Sequence, residues 1–187
     1  MNNNKRIPFL LTLALLVAGY FSISPAAKAA DASAGGSEQV SKLFSDVKAE
    51  AHQLERDAED LHGYARSSLS WESHTAKLDM IREHVNKTGR LLTELNDARD
   101  TAAPWQQKAI DEINPLLKEL ADNTEATINH LNDNKGHLNV GPEFGEFVTA
   151  NYDLAKELTA LITDYVDYGK HEAEFQRLQG KLQVAER

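Results

Sequence analysis

Val40, Phe44, Val47, Ala51, Leu54, Ala58, Leu61 and Ala65 follow one another at alternating steps of four and three residues. That spacing puts every one of them on a single stripe of an α-helix, and it is sustained for almost four heptads. A second stripe runs Trp71, His74, Leu78, Ile81, Val85, Thr88, Leu92 and Leu95. A third runs Ile110, Ile113, Leu117, Leu120, Thr124, Thr127 and Leu131. Neither of the first two stretches alternates with a period of two, so strands are not expected. A fourth stretch has a broader apolar face: Phe144, Phe147, Val148, Leu154, Ala155, Leu158, Leu161, Ile162, Tyr165 and Tyr168, with Asn151 inside it.

The punctuation agrees with four helices. Ser37 and Ser70 suit N-caps, Pro104 suits a first helical turn, Gly136 a C-terminal stop, and Gly141-Pro142 a new start. Pro115 interrupts the third stripe and predicts a kink or a restart capped by Asn114. Four amphipathic segments with short connections predict an all-α fold, an antiparallel up-down-up-down four-helix bundle of long amphipathic helices. The first helix, at about 31 residues, spans roughly 46 Å; the fourth, reaching about Leu182, spans roughly 60 Å and overshoots its neighbours.

The first 29 residues read as a secretion signal. Lys5 and Arg6 give a positive start, Ile7 to Ile23 is mainly apolar, and Ala27-Lys28-Ala29 fits the small-x-small cleavage pattern. The apolar run holds Pro8 and is short for a membrane anchor, so cleavage before Ala30 is expected. Residues 30–36 (ADASAGG) read as a flexible linker and 37–187 as the bundle domain. The expectation is an exported protein, periplasmic or extracellular, with no membrane insertion after cleavage.

With no cysteine there are no disulfides, no thiol catalysis, no iron–sulfur cluster and no covalently attached haem. Removal of Lys5, Arg6 and Lys28 with the leader leaves 17 basic against 29 acidic residues, a net charge of −12. Such a chain repels nucleic acid and anionic membranes.

Three sets of residues are candidates for a role. If the loops centre near residues 69, 102 and 138, antiparallel packing brings His62, His74, His130 and Glu146 towards one end of the bundle. Three imidazoles and a carboxylate suit zinc or another borderline metal. The competing reading makes His74 a buried histidine bonded to Thr127 or Asn151, these three forming a polar core layer that fixes helix register. His84 falls one step off the stripe, on its flank. Ten residues turn a helix by about 1000°, so His74 and His84 do not chelate one ion from one helix.

The third set is Phe175, Leu178 and Leu182, on one face of the terminal stretch HEAEFQRLQGKLQVAER. The register puts Phe175 at the end of the bundle near Val40, with the two leucines beyond. They either cap the open end or form a stripe for a protein partner or for self-association.

Other chemistry finds no support. Glu59-Asp60-Leu61-His62 has the Glu-x-x-His spacing of carboxylate-bridged di-iron bundles, but there is no second such pair and Glu59 falls on the outward side. Met80 also falls outward, leaving His74 without an axial partner for haem. Gly-rich phosphate loops, the Gly-x-Ser-x-Gly elbow and His-Glu-x-x-His are all missing from the sequence. The expectation is a non-enzymatic binding or structural module without a cofactor, with a metal- or cofactor-binding bundle as the alternative.

Overall fold

The heptad stripes set the architecture, because a helix with one apolar face is stable only when that face is covered. The computed structural model describes residues 26–65, 70–135 and 141–185, and side-chain surroundings for 38–65, 70–135 and 141–184. It contains α1 (Ala26–Tyr64), α2 (Trp71–Asp97), a single 3₁₀ turn (Arg99–Thr101), α3 (Pro104–Asp133) and α4 (Gly141–Ala185). Each helix packs on its two neighbours in a closed ring, α1 on α2, α2 on α3, α3 on α4 and α4 on α1.

Cross-helix bonds give the directions. Lys48 meets Asp167 while Ala51 meets Thr159, so α4 descends as α1 rises. Glu112 meets Tyr165 and Asn123 meets Phe147, so α3 and α4 are antiparallel. Lys77 reaches Asp60 and His84 reaches Glu50, which sets α2 against α1 in the same sense. The fold is the antiparallel four-helix bundle that the stripes predict.

Every stripe position from Val40 to Leu61 is fully buried or nearly so, and Ala65 is half-buried. On α2 the stripe from His74 to Leu95 is buried and Trp71 is half-buried, its indole Nε1 donating to Leu131 O at 2.9 Å. On α3 all seven stripe positions are buried. Burying a Leu, Ile, Val or Phe side chain contributes about 1.5–3 kcal/mol, so these faces dominate the stability. On α4 the buried face is Phe144, Val148, Asn151, Ala155, Leu158, Thr159, Ile162 and Val166. Thr159 and Val166 lie outside the expected face. Thr159 is tolerated because its hydroxyl lies 2.9 Å from Ala155 O and 3.0 Å from Ala51 O, tying α4 to α1.

Three boundaries differ from expectation. The leader over residues 1–25 lies outside the described residues, but α1 begins at Ala26, eleven residues before Ser37. Residues 30–36, expected as a linker, are helical. Ala30, Ala32 and Ala34 favour helix strongly enough to carry it through Gly35 and Gly36, each of which costs about 1 kcal/mol. The helix α3 does not restart at Pro115 but runs unbroken. Proline removes the bond to the Asp111 carbonyl; both residues lie on the exposed face, where water can take that carbonyl. Ile113 and Leu117 on the other face are held by the core. Finally, α3 ends at Asp133, with Asn134 N and Nδ2 both donating to His130 O, and Gly136 lies outside the described residues.

The Ser70 cap is as expected, its Oγ accepting from Ser73 N at 3.3 Å. Gly141 starts α4 with φ of 75°, a left-handed value that only glycine takes without strain. Among the described residues no helix is long and apolar enough to cross a membrane.

Candidate functional site

The polar layer is real, but it has a different membership. Asn151 on α4 is fully buried between two threonines of α3. Its Nδ2 donates to Thr127 Oγ1 at 2.8 Å, and Thr127 passes its own proton to Asn123 O at 2.7 Å. Its Oδ1 lies 2.8 Å from Thr124 Oγ1, whose single proton is shared with Leu120 O at 2.7 Å. Thr124 and Thr127 sit three residues apart on one face of α3, which is why one amide reaches both. The three side chains bond to one another and not to His74.

His74 is instead enclosed by hydrocarbon. It is 2 % exposed, its ring stands edge-on to Phe144 with centroids 4.9 Å apart, and Nδ1 has no hydrogen-bond partner. Desolvation holds its pKa below the ordinary value of 6.5, so the imidazole is neutral at pH 7. The expected bond from His74 to Thr127 or Asn151 is therefore not made. Phe144 occupies the space beside His74 that a polar partner would need.

The same packing undoes the expected metal centre. His130 lies along Phe144 and Phe147, with centroids 6.5 and 5.5 Å away, and its Nδ1 is 3.8 Å from Glu143, not Glu146. His62 stacks on Tyr152 at 5.1 Å. Glu146 is exposed on a groove it shares with Asn123, Glu143, Phe147 and Ala150. Among the described residues no three His, Asp or Glu side chains are grouped so as to hold a metal ion. His74 and His130 meet at Phe144, whereas His62 lies about two turns along α4 at Tyr152, and each histidine is engaged with an aromatic ring.

The histidine with charged partners is His84. Its Nδ1 is 2.7 Å from Glu50 Oε2 and its Nε2 is 3.3 Å from Asp57 Oδ2. Asp57 is 4 % exposed, and its Oδ2 makes no hydrogen bond, the approach to His84 being one of proximity alone. The two carboxylates lie on opposite edges of one imidazole, so they cannot close on a common ion. They clamp α2 to α1, and the Lys77–Asp60 bond at 2.8 Å extends the clamp by a turn or two. Sequence reading passed over this group because each member sits one step off its stripe. The signal was there: Glu50 and Asp57 precede Ala51 and Ala58 at heptad spacing, and His84 precedes Val85 on the facing helix.

Two further features mark the surface. A groove of about 350 Å³ opens between α2 and α3, with Val85 and Ala121 at its floor and Arg82, Asn86, Glu125 and Asn129 around it. The second lies on the last turns of α4. Trp105 of α3 packs on Phe44 and Tyr168, with centroids 5.8 and 5.7 Å away, and lies flush against the backbone of Gly169. A β-carbon at Gly169 would fall 2.5 Å from the Trp105 ring. Beyond this wedge the helix continues from Lys170 to Ala185. Phe175, Leu178 and Leu182 there are 61, 46 and 67 % exposed. They do not cap the bundle, and Phe175 does not join the core near Val40: they face outward, about 180° around α4 from Ile162 and Val166, while Ala173 lies on the side of Ser41 and Phe44 of α1.

Comparison with known families, curated proteins and solved structures finds no match.

Proposed function

We propose that this chain is an exported, non-enzymatic helical module that works in the cell envelope by docking through the outward face of the last turns of α4. The observation that carries this reading is the exposed stripe of Phe175, Leu178 and Leu182 on the outward face of the last turns of α4. Large apolar side chains aligned on one helix face cost free energy in water and gain it when another surface covers them. The leader-like first 29 residues support export. The buried histidine and the interhelical clamp are accounted for by packing and register, which leaves the stripe as the feature that folding does not use.

A photo-crosslinking residue at Leu178 tests the reading in intact cells. The expected result is a specific adduct that is absent when the probe stands at Glu94 on the exposed face of α2, and that is lost on Phe175→Ala. Equal, diffuse labelling from both positions would contradict it.

A further inference from the structure

We propose that the partner of the α4 stripe is a second copy of the same stripe, paired antiparallel. This rests on the docking reading above and names its partner. A second heptad stripe runs along the outward face of α4, opposite the buried Ile162 and Val166: Tyr168, Phe175 and Leu182 recur every seven residues, with His171 and Leu178 interleaved. That is the a/d pattern of a two-helix seam. The positions flanking it then decide the orientation. Glu174 and Lys181 occupy equivalent flanking places one heptad apart. In an antiparallel pair centred between them, Glu174 of each copy faces Lys181 of the other, giving two symmetric ion pairs. In a parallel pair, Asp167 of each copy would face Glu172 of the other, a like-charge contact repeated twice.

Charge on the larger scale favours the same choice. The chain without its leader carries a net charge of −12, whereas Lys170–Val184 holds three basic and two acidic residues. Two acidic bundles repel when side by side. Antiparallel pairing of the stripes points the two acidic bundles in opposite directions, so that they overlap only over their last turns. The isologous arrangement also closes, so it stops at two copies.

Sedimentation velocity on the leader-free chain tests this over a concentration series into the millimolar range. The expected result is a reversible monomer–dimer equilibrium. Leu178→Asp abolishes the dimer while circular dichroism and thermal unfolding of the dilute protein stay unchanged, because the side chain is exposed in the monomer. Glu174→Lys weakens the dimer about tenfold, and adding Lys181→Glu to it restores the affinity. A monomer at every concentration overturns the self-pairing and leaves the docking reading to the crosslinking experiment. A dimer indifferent to Leu178→Asp, or charge variants that fail to rescue one another, overturns it as well. Binding of the monomer to vesicles of one part anionic to three parts neutral lipid, lost on Leu178→Asp, would assign the stripe to a membrane surface instead.

Discussion

Asn151 and Thr127 are joined across the α3–α4 interface, the amide Nδ2 donating to the hydroxyl at 2.8 Å with both side chains fully buried. The bond exists because Thr127 spends its own proton on Asn123 O and so presents only lone pairs to α4. Thr127→Val leaves the Asn151 amide without an acceptor and is expected to destabilise by about 1–3 kcal/mol. Asn151→Ala removes both bonds and leaves a cavity, costing about 2–3 kcal/mol. Because the two residues share one bond, the double variant should cost less than the two single losses combined. Urea unfolding of the four proteins measures this, and strict additivity would contradict the pairing.

His74 makes the opposite prediction. Its Nδ1 is buried without a partner, so His74→Leu, of similar volume, should match the parent at pH 7 or exceed it by up to about 1 kcal/mol. The pH dependence follows from the lowered pKa. The unfolded chain takes up a proton as pH falls through about 6.5, while the folded chain resists it. The stability attached to a neutral His74 is therefore complete above that pH and declines below it, towards the depressed folded value. His74→Leu should lose less stability between pH 7 and pH 5.5 than the parent. Parallel pH profiles for the two proteins would show that His74 protonates freely in the fold.

The His84 clamp is expected to matter through Glu50 and Asp57. His84→Ala removes the bond to Glu50 and the ring that lies against the nearly buried Asp57, and is expected to cost about 1–3 kcal/mol. Asp57→Ala combined with His84→Ala removes both members and should recover part of that loss. Thermal unfolding reads both, and a loss under about 0.5 kcal/mol for His84→Ala would mean that the clamp does not hold α2 to α1.

At Gly169, two effects oppose each other. Alanine favours helix over glycine by about 1 kcal/mol. Its methyl group, however, would meet the Trp105 ring, which Phe44 and Tyr168 hold in place. Overpacking of this kind costs about 1–3 kcal/mol, so Gly169→Ala should be net destabilising and should shift the Trp105 fluorescence. A stabilised variant would show that the indole moves aside freely.

The long-range plan of the molecule was legible in the stripes. Positions such as Leu78, Ile113 and Thr124 announce their burial because a helix repeats its facing every three or four residues, and antiparallel order follows from short connections. Side-chain pairings were not legible to the same degree. Placing His74 within about a turn of Asn151 was possible from loop positions, but the ring of Phe144 decides what His74 touches, and one-dimensional spacing carries no volumes. His84 was missed for a related reason: it sits beside the seam, where a polar residue reads as solvated until the facing helix brings a buried carboxylate to it. The helical residues 30–36 show local composition misread, since alanine outweighed the two glycines.

The claim at the centre of this account is that the outward stripe on the last turns of α4 serves for docking and not for the core. A chain ending at Ala173 tests it by thermal unfolding of dilute protein beside the full chain. The account predicts midpoints within about 2 °C of each other, because the exposed stripe contributes nothing to the isolated bundle. A midpoint lowered by about 8 °C or more would show that Phe175, Leu178 and Leu182 cover the core after all.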